Sequence, residues 1–140
     1  MIQDDDCLAK YGPASDSSPH LVLWKLPAEI IFGAVPKKIF CNKDLIYPLT
    51  LALRLVKSRG LQDQIKTWDG CFNIRMVRGS TTRPSLHSWG VAIDINAFEN
   101  GLGQIPKMTP ELVKCFTDVG FDWGGNWRRL DGMHFQLSKI

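Results

Sequence analysis

The apolar positions of this chain form one clear helical stripe, a shorter helical stretch and several brief runs that suit strands. Residues 1–20, rich in Asp, Ser, Pro and Gly, break every such pattern and read as an irregular arm. From Leu21 the chain turns apolar, with Trp24, Leu26 and Ile30 to Phe32 punctuated by Pro27 and Pro36, which predicts a short packed lead-in and carries the arm to about residue 37. Pro48 reads as the opening of the clearest helix. Leu49, Leu51, Ala52, Leu53, Leu55 and Val56 supply its apolar face, Lys57 and Arg59 suit its C-terminal end, and Gly60 stops it. A second helix is expected from Thr109-Pro110-Glu111 through Val119, with Gly120 as its stop. Cys71–Val77, Val91–Ile95 and Met133–Leu137 read as strands. This order predicts an α+β fold, a small antiparallel sheet flanked by helices, in a single domain over residues 1–140.

Composition narrows the class. With 140 residues, 44% apolar and 22% charged, the chain matches an ordinary globular domain, and no apolar run approaches the ~18 residues of a membrane span. No membrane insertion is expected. Met1 to Asp6 are acidic where a secretory signal would be basic, and no apolar core with a small-residue cleavage site follows, so synthesis in the cytoplasm without a signal peptide is expected. The net charge is +3, with Lys37-Lys38 and Arg128-Arg129 making the remainder more basic than the start. That favours an anionic polymer by long-range attraction. No nucleic-acid motif accompanies the charge, and the aromatic residues do not recur along a basic stripe, so no nucleic-acid partner is expected. Cys7, Cys41, Cys71 and Cys115 contain no Cys-x-x-Cys pair, which argues against a cysteine-based zinc knuckle. Reduced thiols are the default, although the even count permits a disulfide.

The chemistry concentrates in two short motifs, Ser85-Leu86-His87-Ser88-Trp89-Gly90-Val91-Ala92-Ile93-Asp94 and Asp131-Gly132-Met133-His134-Phe135. A catalytic zinc takes nitrogen and oxygen ligands from three protein side chains and leaves a position for water, so histidines with nearby carboxylates are the candidates. The chain has His20, His87 and His134. His20 follows Ser17-Ser18-Pro19 in a loop-like stretch and is spare. Gly90 permits a bend between the loop that carries His87 and the strand that carries Asp94. On the last strand Met133, Phe135 and Leu137 share one face, while His134 and Gln136 share the other. Zinc lowers the pKa of a bound water toward ~7, but a base must still take its proton, and Asp131 is the carboxylate available. An Asp-x-x-His pair alone is common in loops, so the inference rests on both motifs together.

The pattern Ser-x-His-x-x-Gly-x-Ala-x-Asp, followed by an acid and a His-Phe pair, resembles the signature of the M15 zinc peptidases. Asp69 to Gly79 and Gly120 to Trp127 resemble the phage-type branch, and the similarity spans roughly residues 38 to 138. The resemblance implies a Hedgehog/DD-peptidase-like fold, Zn2+ held by His87, Asp94 and His134, and Asp131 as general base. It also implies an upstream arginine that polarises the scissile carbonyl or holds a substrate carboxylate. Arg75 is the preferred catalytic candidate, with Arg78 then a substrate-binding residue. Ser85 either donates a hydrogen bond to substrate or orients the His87 loop. The implied partner is the peptide stem of bacterial peptidoglycan, cut by a monomer acting as an L-alanyl-D-glutamate endopeptidase or a D-Ala-D-Ala carboxypeptidase. A phage-type endolysin of this kind would reach the wall after holin-type release, lysis or virion delivery. The rival readings are a non-catalytic zinc-stabilised wall-binding module and a D-Ala-D-Ala dipeptidase.

Overall fold

The computed structural model describes residues 1–140. Helix α1 spans Asp4–Tyr11, strand β1 Leu21–Lys25, strand β2 Lys38–Asn42 and helix α2 Lys43–Ser58. Strands β3 (Trp68–Gly70) and β4 (Ala92–Ile95), helix α3 (Pro110–Thr117) and strands β5 (Phe121–Trp123) and β6 (His134–Leu137) complete the order. β1 and β2 form an antiparallel pair, and the other four strands form an antiparallel sheet in the order β3-β4-β6-β5. The α+β class and the small antiparallel sheet are as expected. No helix is long and apolar enough to cross a membrane.

Helix α2 begins at Lys43, ahead of Pro48, because Asn42 caps it: the Asn42 side chain accepts the Asp44 N–H at 2.9 Å. Pro48 lies inside and removes one backbone donor. The stripe Leu45, Leu49, Ala52, Leu53 and Val56 is buried on both sides of it and carries the helix through. Helix α3 matches its signals more closely, with the Thr109 hydroxyl accepting the Leu112 N–H and Pro110 in the first turn.

The arm read as irregular is in fact built structure. Asp4, Asp5 and Asp6 sit in the first turn of α1, where acidic side chains complement the helix dipole, and the Asp6 carboxylate accepts the Gln3 N–H at 2.7 Å. Tyr11 donates to Asp44 at 2.6 Å, Lys10 pairs with Asp44 at 3.0 Å, and the Trp89 indole donates to the Gly12 carbonyl at 2.8 Å. α1 is thereby tied both to α2 and to the first motif. Only Cys7 and Tyr11 are buried on this helix, too few to mark a period in the sequence.

The strand expected over Cys71–Val77 is displaced: β3 ends at Gly70, and Ile74 to Val77 are exposed. The backbone there is stitched to the first motif instead of to the sheet. Asn73 N–H donates to the His87 carbonyl, Arg75 N–H to the Ser88 hydroxyl, Ser85 N–H to the Arg75 carbonyl and Val77 N–H to the Arg83 carbonyl. Below the sheet lies one hydrophobic cluster to which Phe135, Ile93, Phe116, Leu49 and Leu53 all belong, with α1 contributing Cys7 and Tyr11. All four cysteines are buried free thiols.

Candidate metal centre

Register places the first two site residues. In the β4–β6 ladder Ala92 pairs with Gln136, Ile93 with Phe135 and Asp94 with His134. Directly opposed residues of an antiparallel pair project on the same face, so Asp94 and His134 meet on one side while Ile93 and Phe135 anchor the other side in the core. The Asp94 carboxylate lies 3.3 Å from His134 Nδ1.

His87 reaches the same carboxylate from a loop. The Ser85 hydroxyl accepts the His87 N–H, opening the short 3-10 turn Leu86–Trp89. Gly90 closes that turn at φ 71°, and a Cβ there would come within 2.7 Å of the Asn42 nitrogen. Glycine therefore satisfies two demands at once, a left-handed backbone and a close approach. The turn holds His87 Nε2 at 3.1 Å from Asp94.

The second nitrogen of each imidazole fixes its tautomer. The Cys71 carbonyl can only accept, so His87 Nδ1 donates to it at 2.6 Å and Nε2 is left bare. Gln136 donates its amide to the Ile2 carbonyl at 3.3 Å, which turns its oxygen toward His134 Nε2 at 3.0 Å and leaves Nδ1 bare. Two lone pairs thus converge on a carboxylate, an arrangement that a shared cation makes favourable. His87 Nε2 is buried without a hydrogen-bond partner, and the ligand atoms of His87, Asp94 and His134 lie within 4.8 Å of one another. Nitrogen and oxygen donors oriented through second hydrogen bonds suit a zinc-type ion, so the residues present fit a metal.

Without an ion, protonated imidazoles can take the cation's place on Asp94. Burial alone would raise the Asp94 carboxyl, but the His134 and His87 imidazoles hold it well below the usual carboxylate range. Burial opposes a charged His134, yet Asp94 and Asp131 raise its affinity for a proton. Asp131 shifts opposite to Asp94. Burial and the Asp94 charge push its carboxyl up, against the downward pull of His134, His87 and Arg75. Asp131 Oδ2 lies 4.0 Å from His134 Nδ1. Its loop is fixed by the Asp131 N–H donating to the Gly124 carbonyl at 2.9 Å, and a side chain at Gly124 would run into the Asp131 carbonyl oxygen.

Asp94, Asp131 and His134 line a cleft of about 960 Å³, together with Arg75, Arg78 and Ser85. His20 is elsewhere, edge-on to Tyr11 at 5.1 Å. Of the three tryptophans near the motifs, Trp89 is buried, Trp123 donates to the Gly132 carbonyl, and Trp127 lines the cleft with its ring 5.2 Å from that of His134. Ala97 and Leu102 bring the loop after β4 to the cleft edge, where its sequence position places it. The sequence reading missed Cys71, Gly124 and the orienting part played by Gln136. Only Gln136 carried a signal, being two residues from His134 on the same strand face.

Residues 78–137, the span that holds His87, Asp94, Asp131 and His134, match the M15 peptidase family model described as D-alanyl-D-alanine carboxypeptidase. The fold is similar to the crystal structure of Serratia marcescens L-Ala D-Glu endopeptidase ChiX, at 21% identity over 69% of this chain and 80% of that one, with a TM-score of 0.46. No curated protein matches the chain. The family match falls on the segment that builds the His-Asp-His group.

Proposed function

We propose that this protein is a zinc-dependent peptidase of the M15 type that hydrolyses an amide bond in the peptide stem of bacterial peptidoglycan, as a phage-type endolysin with L-alanyl-D-glutamate endopeptidase or D-Ala-D-Ala carboxypeptidase activity. The observation that carries the reading is the convergence of the bare His87 Nε2 and His134 Nδ1 on Asp94, beside a half-buried Asp131, with Asp94, Asp131 and His134 lining an open cleft. His87, Asp94 and His134 would hold the ion. When bound, zinc supplies Lewis-acid polarisation of the scissile carbonyl and lowers the pKa of a water.

The chain's own residues supply the rest. Asp131 takes a proton from the attacking water on its carboxylate and returns it to the leaving amine nitrogen, and burial raises its basicity toward that task. Arg75 faces the negative charge that develops on the carbonyl oxygen. Its charge acts on Asp131, which supports Arg75 over Arg78 for this part. Arg78 then binds substrate. The Ser85 oxygen accepts the His87 N–H, leaving the O–H to donate into the cleft. The protein works as a monomer, made in the cytoplasm and brought to the wall by holin-type release, lysis or virion delivery.

Incubation of the zinc-loaded protein with purified sacculi, followed by mass spectrometry of the released fragments, identifies the bond. Fragments cut at one stem amide are expected, with one zinc per chain that His20→Ala keeps and His87→Ala loses. Intact stems would sink the assignment.

A further inference from the structure

The seven arginines of the chain divide by place. Away from the cleft each has a carboxylate: Arg54 pairs with Glu29 at 2.6 Å and Arg59 with Asp118 at 3.3 Å. At the cleft rim Arg83 donates to Gln3 at 2.7 Å and lies 3.5 Å from Asp4. Arg75, Arg78, Arg128 and Arg129 all line the cleft, and none has a carboxylate oxygen within 4.0 Å. The acids of the cleft are committed elsewhere. Asp94 lies between the two imidazoles, Asp69 accepts from the Thr67 hydroxyl and the Ala97 N–H, and Asp131 sits beside His134.

Three of the unmatched arginines come from two loops that are bonded to each other. Arg129 Nη1 donates to the Arg78 carbonyl at 2.7 Å, and Arg128 precedes it on the same exposed turn. Guanidinium groups left without an anion at a concave surface repel one another, and a bidentate carboxylate relieves that repulsion with charge-assisted hydrogen bonds. Arg75 is already assigned to the reacting carbonyl. The other three therefore serve a different anion.

Resting on the wall-peptidase reading above, we propose that Arg78, Arg128 and Arg129 form a subsite for a second, non-reacting carboxylate of the stem peptide. The enzyme then selects stems that carry this group as the free acid over stems that carry it as the carboxamide.

Two stem peptides that differ only in that one group, acid or carboxamide, test the subsite by calorimetry on the full chain, metal-free and zinc-loaded. The acid form is expected to bind about tenfold more tightly or better, the scale of a hydrogen bond to a charged group. Cleavage should show the preference in KM, with kcat little changed. The Arg128→Gln, Arg129→Gln double variant should lose most of the preference, and Arg128→Glu should weaken it to a similar extent. Equal binding of the two peptides by the unaltered protein would overturn the subsite, as would a double variant that discriminates as strongly as the unaltered protein. If the zinc-loaded protein binds the acid form selectively but cleaves neither peptide, the peptidase reading fails and the subsite stands.

Discussion

Asp94 and His134 stand opposite each other on paired strands, whereas His87, Asp131 and Arg75 stand on loops, and different forces hold the two groups. The strand pair is positioned by register: Ile93 and Phe135, opposite each other on the buried face, lock the ladder from below. The loop group has no such anchor and depends on glycines, backbone bonds and two hydroxyls, at Gly90, Gly124, Ser85 and Ser88. A site built this way should lose its metal when the core beneath the strands is damaged. It should lose its chemistry, with the metal kept, when the Asp131 loop is disturbed, and lose the metal when the His87 loop is.

Phe135→Ala attacks the strand group from below and carries the largest expected effect, about 3–5 kcal/mol of stability for a fully buried aromatic. Urea unfolding measures it, and a loss under about 1 kcal/mol would mean that the sheet does not rest on this core. Gln136→Ala leaves the core intact and removes the oxygen that orients His134. Zinc affinity should fall about 10–100-fold, the usual effect of losing such a partner, while the unfolding midpoint moves little. Competition with a chelator reads it, and unchanged affinity would sever Gln136 from the metal.

Gly124→Ala addresses the loop group. Its added methyl meets the Asp131 backbone, so a destabilisation of about 1–3 kcal/mol from overpacking is expected together with lower turnover and full zinc occupancy. Unaltered turnover would show that Asp131 tolerates displacement.

The smallest effect lies far from the cleft, where Tyr11 and Lys10 hold the Asp44 carboxyl below the ordinary carboxylate range although burial opposes them. A depressed carboxylate stabilises the fold above its unfolded pKa of ~3.9 and loses that contribution as pH falls through the folded value. Tyr11→Phe should therefore cost about 1 kcal/mol near neutrality and progressively less in acid, read from unfolding at a series of pH values. A constant difference across that range would place the stabilisation in packing instead.

The same division explains what the sequence disclosed. Strands β4 and β6 were legible as short apolar runs, and the motifs placed Asp94 and His134 on them. All four site residues were legible through two glycine-punctuated motifs and a family resemblance, and the period added only the strands that carry Asp94 and His134. Where position depends on backbone atoms, local pattern is silent. Nothing in Cys71–Val77 distinguishes a strand from a segment bonded to the His87 loop, since the residues that decide, Ser85 and Ser88, lie beyond it. Pro48 misled for a related reason. Proline favours a helix start locally, but a buried stripe on both sides outweighs one missing hydrogen bond. Helix α1 was hidden because its anchors, Asp44 and Trp89, are distant in sequence.

The central claim is that three side chains hold the metal while Asp131 moves the proton, and Asp131→Asn separates the two. Zinc content and turnover of that variant, measured on one preparation, should give one zinc per chain and a turnover lower by about two to four orders of magnitude. Turnover near that of the unaltered protein with zinc in place would contradict the account.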